Sequence, residues 1–316
     1  MTGYRIGAPT NAGFLLLPIL VNAVSVYLLL ASGQVVAATT AVQYQSNISR
    51  RDVVLVAHQD DWQLFMGDLI AGQVRAGDSL TFIYVTAGDD GRDSSYWQTR
   101  ERAALRSTLL TIGQIPTDLS SIHCSEVQVL EHSLRRCIAG QTESYFLRLP
   151  DGKRNGAGFA NHQYQSLRKL RAREIAAVTA VDGSGAYSGW TDLVRTVSSL
   201  VGPETSVREI VLHTTDPSKA INPHDHFDHR MVGLLARDLR KSRSLNTKFY
   251  VGYAVATRAA NRTSDQARVK ELLFSAYDDE MIRANKTWSA YAEHPEFYSQ
   301  CMVRTYARTV RTARGR

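Results

Sequence analysis

The run Val53-Val54-Leu55-Val56-Ala57 is the strongest constraint on how this chain can fold. It is apolar at every position and mostly β-branched. Neither the 3.6-residue stripe of a surface helix nor the alternation of a one-sided strand describes it. Such a run is a strand covered on both faces, as in parallel sheets with helices packed on each side. It stops abruptly at His58-Gln59-Asp60-Asp61. Open α/β sheets bind their ligands at the carboxyl ends of strands. An imidazole and two carboxylates therefore stand where this architecture places its chemistry.

The pattern continues along the chain. Residues 62–75 carry apolar side chains at helical spacing (Leu64, Phe65, Leu69, Ile70, Val74), and residues 80–86 read as a second strand. After a loop at 87–93, Ser94 or Ser95 is placed to cap a helix running to Ile112. Short strands are expected at 127–130 and 145–149, with helices at 165–178 and 188–200. A core strand is expected at 210–214, a helix at 227–241, a strand at 248–254, and a long interrupted helix from 264 toward 292. This alternation predicts an α/β fold: a Rossmann-like, mostly parallel sheet flanked by helices, with right-handed crossovers. No linker divides residues 50–300, which read as a single domain. Residues 301–316 hold Arg304, Arg308, Arg311, Arg314 and Arg316 and read as a basic, solvated tail.

The formal net charge is +7, but no aromatic residues sit among the last arginines as a base-stacking platform requires. No nucleic-acid partner is expected. Residues 14–31 carry no charge, follow Arg5 and precede the small residues Ala37 and Ala38. That order describes a secretory signal peptide over 1–38 or, if uncut, a signal anchor. The expected location is secreted or periplasmic, or membrane-anchored through 14–31. Cys124, Cys137 and Cys301 fit no zinc-finger spacing, and in an oxidising compartment Cys124 and Cys137 could pair.

A second cluster, His224-Asp225-His226-Phe227-Asp228-His229, follows the apolar run Ile210-Val211-Leu212. An Asp pair after a strand is commonly a helix cap, and His-x-x-His is common on surfaces. Both clusters at strand ends in one chain point instead to a mononuclear metal hydrolase. A catalytic zinc has three protein ligands and one open position. His58 and Asp61 can supply two of them, and Asp60 between them is placed as a general base. His226 and His229 lie three apart at a helix start, on one face. One can bind metal, and the other can polarise a carbonyl or protonate a leaving amine. Asp228 can fix a histidine tautomer.

These residues carry a resemblance. Ala57-His58-Gln59-Asp60-Asp61 resembles the A-H-P-D-D signature of the LmbE/PIG-L-like zinc deacetylases, and His226-Phe227-Asp228-His229 resembles their later H-x-D-H. Thr86-Ala87-Gly88 resembles the family's Thr-x-Gly loop, and Arg100-Glu101 its Arg-Glu pair. The resemblance runs from about Asp52 to Trp288. It implies removal of an N-acetyl group from an N-acetylglucosamine-type amino sugar on a glycan, glycolipid or other glycoconjugate. It also implies Zn2+ held by His58, Asp61 and His229, with Asp60 as base. His226 would stabilise the oxyanion or protonate the amine, with Asp228 orienting it. The alternatives are a metal-dependent hydrolase of an ester or phosphoester, or a non-catalytic carbohydrate-binding relative.

The chain departs from that pattern at Gln59, where the family has proline, and at Trp62, where it has glutamate. Trp62 reads as core packing or as a flat face for a sugar ring. Asp89, Asp90, Arg92 and Arg100 are candidates to hold sugar hydroxyls or an anionic group, and His224 is a spare imidazole. His123, His132, His162, His213 and His294 are treated as structural.

Overall fold

The computed structural model describes residues 50–75, 78–203, 207 and 209–311. The expected signal segment (1–38) and the apolar run 14–31 lie outside these residues. No helix among the described residues is long and apolar enough to cross a membrane.

The strands are β1 (Arg50–Val56), β2 (Ser79–Thr86), β3 (His123–Val129), β4 (His132–Ala139), β5 (Thr142–Leu149), β6 (Ala177–Thr179), β7 (Ala186–Ser188), β8 (Glu209–Thr215), β9 (Asn246–Tyr250) and β10 (Ala307–Val310). The helices are α1 (Asp61–Arg75), α2 (Ser94–Thr111), α3 (Leu167–Ala172), α4 (Gly189–Val201), α5 (Phe227–Ser242), α6 (Ser264–Ala284), α7 (Ala290–Glu293) and α8 (Pro295–Met302). Eight strands form one sheet in the order β10-β9-β8-β1-β2-β5-β4-β3. The central five, β9, β8, β1, β2 and β5, are mutually parallel, so their carboxyl ends share one edge. The outer strands β10, β4 and β3 run antiparallel to their neighbours.

The unbroken apolar character of β1 has its cause here. Val53, Leu55 and Ala57 join the core under α3, α4 and α5. Val54 and Val56 join the opposite core, under α1, α2, α6 and α8. Each face of the strand is covered, and its one buried carboxylate, Asp52, is paired with His213 and Arg50.

Several expectations are revised. Strand β4 lies where no element was expected; Arg135 and Arg136 interrupt its apolar alternation and pair with Glu126 and Glu143. The expected helix at 165–178 is only α3. Arg173 takes φ 60° and its N–H turns back to Leu170 and Lys169, which ends the helix. Asp93, not Ser94 or Ser95, caps α2 by accepting the Ser95 N–H. The C-terminal stretch is not a free tail as far as residue 311. Strand β10 pairs with β9, and Arg308 grips Asp216 through Nε at 2.5 Å and Nη2 at 3.1 Å. Buried Lys270 holds the Cys301 carbonyl at 2.7 Å and the Thr305 hydroxyl at 3.1 Å. Cys124 and Cys137 face each other across β3 and β4 and form a disulfide, while Cys301 is a buried free thiol.

Candidate metal centre and active site

The shared carboxyl edge of the parallel strands gathers residues far apart in sequence. Asp61, the first residue of α1, accepts the backbone N–H groups of Ala57 (3.1 Å) and His58 (2.8 Å) on Oδ2. Those bonds fix the carboxylate so that Oδ1 faces inward. Oδ1 meets His229 Nε2 at 2.9 Å and His58 Nδ1 at 3.5 Å, and the two ring nitrogens are 3.1 Å apart. Tetrahedral zinc with N and O ligands at 2.0–2.1 Å has ligand–ligand edges of ~3.3 Å. The three donor atoms already have the spacing of one face of that tetrahedron. The donor set, two imidazoles and a carboxylate, is also one that zinc favours.

Outer contacts aim these donors. His229 Nδ1 lies 2.9 Å from Asp225 Oδ1, which also accepts the Tyr253 N–H at 3.2 Å. A proton on Nδ1 shared with Asp225 leaves Nε2 as the inward lone pair. His58 Nε2 lies 3.4 Å from Asp151 and 3.6 Å from Asp228. Asp228 Oδ2 is held by the Gly152 N–H at 2.7 Å. A Cβ on Gly152 would collide with that carboxylate, so only glycine lets the backbone come this near.

His226 occupies the N-cap of α5, where its Nδ1 accepts the Asp228 N–H at 3.2 Å. The neutral ring therefore carries its proton on Nε2, facing the cavity and 3.6 Å from Asp151 Oδ1. This corrects the expected role of Asp228. Its carboxylate lies 3.8 Å from His226 Nδ1, which the backbone already satisfies, and it faces His58 instead.

Asp60 points into a cavity of about 360 Å³ above the cluster, walled by Tyr96, Tyr253, Tyr277 and Trp288. Its Oδ1 accepts from Arg100 Nη2 at 2.5 Å. Arg100 is anchored in turn by the Gly88 carbonyl and the Tyr277 hydroxyl, both at 2.8 Å. Gly88, in the Thr86-Ala87-Gly88 turn, has φ +56°. Gln59 ties that turn to β1 by donating to the Thr86 carbonyl at 3.0 Å.

The charges of the cluster act on one another. Burial opposes protonation of His58, yet Asp61, then Asp151 and Asp228, hold its pKa well above the usual range. Burial likewise opposes a charged His229, but Asp61 and Asp225 raise it to about 10. Against burial, His229 and His58 hold Asp61 well below the carboxylate range, and His58 and His226 do the same for Asp151. His226 goes the other way: burial, then the positive charge of His58, lowers it to about 4. The 3.1 Å contact between the His58 and His229 nitrogens needs a proton or a cation between them.

The remaining candidates divide. Asp90, Arg92 and Arg100 line the cavity. Asp89 does not: it is fully buried, with both oxygens committed to Asp151 N, Gly91 N and His162. Trp62 is core, fully buried and donating to the Tyr84 hydroxyl at 3.0 Å. His224 sits outside the cluster, on an exposed neighbouring groove. His132 and His213 pair with Asp192 and Asp52 as structural groups. Two working residues were missed. Asp225 had only its place beside the histidines to mark it. Asp151 had the same signal as Asp60 and Asp61, a carboxylate just past the carboxyl end of a parallel strand, hidden by the turn-rich Asp151–Gly158 context.

No curated protein matches the chain. Among solved structures it is similar to the N,N'-diacetylchitobiose deacetylase of Pyrococcus horikoshii bound to an inhibitor (13% identity, 83% of this chain and 84% of that one, TM-score 0.45). It is also similar to the zinc-inhibited form of a teicoplanin deacetylase (13% identity, 83% and 98%, TM-score 0.42). A third is the 4-carboxy-2-hydroxymuconate hydratase of Pseudomonas putida KT2440 (11% identity, 79% and 83%, TM-score 0.39). A sequence-family model described as "PIG-L: GlcNAc-PI de-N-acetylase" matches residues 53–239, a span that contains His58, Asp60, Asp61, Asp151 and the whole His224–His229 cluster. The chain belongs to the PIG-L de-N-acetylase family.

Proposed function

We propose that the protein is a zinc-dependent N-deacetylase acting on an N-acetylglucosamine-type amino sugar. The observation that carries this reading is the convergence of His58 Nδ1, Asp61 Oδ1 and His229 Nε2 within 2.9–3.5 Å of one another. Membership of the PIG-L family supports the amide of an acetamido sugar as the bond broken.

Zinc held by these three residues supplies a Lewis acid for the amide carbonyl and a water of lowered pKa. Asp60 stands beside them with Oδ1 tied to Arg100, leaving Oδ2 to take a proton from water and return it to the departing nitrogen. Neutral His226 directs Nε2–H into the cavity, where it donates to the carbonyl oxygen as that oxygen gains charge. Because the Asp228 N–H occupies its Nδ1, buried His226 serves as a neutral hydrogen-bond donor, and Asp60 returns the proton to the amine. Asp151 and Asp228 hold the His58 ring in place. Water adds across the amide, giving acetate and a free amine.

Export is part of the same proposal. The Cys124–Cys137 disulfide and the uncharged run at 14–31 support an oxidising location; anchoring through an uncut 14–31 segment is its membrane-bound form.

The test is acetate release from N-acetylglucosamine glycosides, with zinc content measured on the same samples. Asp60→Asn should keep about one zinc per chain and lose ~10²–10⁴-fold in kcat. A variant as active as the native protein, or a zinc-loaded native protein that releases no acetate, overturns the reading.

A further inference from the structure

Beside the cavity over the cluster lies a second hollow of about 560 Å³. The two share Arg154, Tyr253 and Tyr298 as common walls. Pro223, Ala254, Ala256 and Phe297 form its apolar part, and His224, Thr257 and His294 also line it. Its volume lies in the range of small-ligand sites. Except for Arg154, Pro223 and His224, its lining comes from residues beyond the span matched by the family model.

Of the shared walls, Tyr253 is the one that touches the donor cluster. Tyr253 packs edge-on against His229 at 4.9 Å and against Phe297 at 5.4 Å. A group packed on the groove side of Tyr253 therefore has only that ring between it and His229, which leaves little room for a long spacer to the reacting acetamide. Arg154, its guanidinium 5.7 Å from the centre of the Tyr253 ring, stands at the shared edge, and the groove lining holds no carboxylate that would recruit a cationic group.

We propose that this groove takes an apolar alkyl or aryl aglycone joined directly to the amino sugar, so that the substrate is an N-acetylated glycoside with an apolar neighbour. The inference rests on the deacetylase reading above. Contact with such a group is the same before and during the chemical step, so it lowers KM and leaves kcat unchanged. Each methylene fully buried lowers KM roughly fourfold.

The zinc-loaded full chain is compared on the methyl and octyl glycosides of N-acetylglucosamine, both kept below micelle-forming concentrations. The expected result is a KM at least tenfold lower for the octyl glycoside at similar kcat. Ala256→Trp, which fills the groove, should bring the octyl-to-methyl KM ratio toward one. Equal KM values in the native protein overturn the groove proposal and leave the deacetylase reading standing. An octyl advantage that survives in correctly folded Ala256→Trp assigns the apolar contact elsewhere and overturns it too. No acetate from either glycoside removes both.

Discussion

Asp225→Ala tests the metal centre without touching a donor atom. Asp225 Oδ1 lies 2.9 Å from His229 Nδ1 and accepts the Tyr253 N–H, so its loss frees the His229 ring to turn and to change tautomer. Carboxylates in this position behind a metal-ligating histidine are worth about 10–100-fold in metal affinity, or ~1.4–2.7 kcal/mol. The upper end is expected here, because the same oxygen fixes the backbone of Tyr253, whose ring packs on His229. Asp225→Asn is a graded control. Its amide oxygen can take both hydrogen bonds, so only the charge is lost, and roughly tenfold weaker binding is expected. The assay is competition for zinc against a chromophoric chelator, with the folded state checked by near-ultraviolet circular dichroism. Native affinity in folded Asp225→Ala would mean that His229 Nε2 is not a ligand, and the three-donor assignment would fall.

Three other outcomes are expected. His226→Ala removes the Nε2–H donor and should lower kcat by ~10²–10³-fold with zinc content unchanged; a loss of zinc instead would make His226 a ligand. In the metal-free protein, His58 and His229 have raised folded pKa values, so the stability they contribute is complete below about 6.5. It is lost as pH rises toward the His229 value of about 10. The metal-free Tm should therefore fall between pH 7 and 9.5, zinc should reverse the fall, and calorimetry in buffers of different ionisation heat should find one to two protons released per zinc bound; no release refutes the charge coupling. Gly152→Ala drives a methyl group into the Asp228 carboxylate behind His58 and should cost about 1–3 kcal/mol in thermal unfolding, with weaker zinc binding; a neutral result would mean that the Asp228–His58 contact does not aim the ligand.

How much of this was legible in the sequence depended on how local the signal was. The Val53–Ala57 run announced its own burial, because side chains on both faces of a strand covered on each side are apolar unless they are paired. The His58–Asp61 and His226–His229 motifs were legible because each is contiguous and begins a helix at the site. Asp151 was not, since its role comes from placement between His58 and His226, which only the β2–β5 pairing creates. The role given to Asp228 failed for a related reason. Spacing placed it next to His226, but the backbone N–H at an N-cap outcompeted its side chain for that ring nitrogen. Asp89 looked like a loop-tip carboxylate and proved to be the internal brace of its loop. The C-terminal arginines read as a solvated tail, because nothing local marks β10 as the partner of β9 or Asp216 as the partner of Arg308.

The electrostatics of the cluster bind these points together. Asp61, Asp151, Asp225 and Asp228 surround His58, His226 and His229 with little access to water. Carboxylates cannot collect in such a place without positive charge among them. The fold offers two ways to supply it. One proton can be shared between His58 Nδ1 and His229 Nε2, in keeping with the raised pKa values of both rings, or one dication can stand between the same donors with the imidazoles neutral. The outer carboxylates Asp151 and Asp225 face positive charge in either state. His226 is exempt because the Asp228 N–H occupies its Nδ1, and burial, then the charge of His58, lowers its pKa. The arrangement thus separates three buried histidines into two that share positive charge and one that stays neutral as a donor. That division of labour is set by Asp225 and Asp151 as much as by the motif residues themselves.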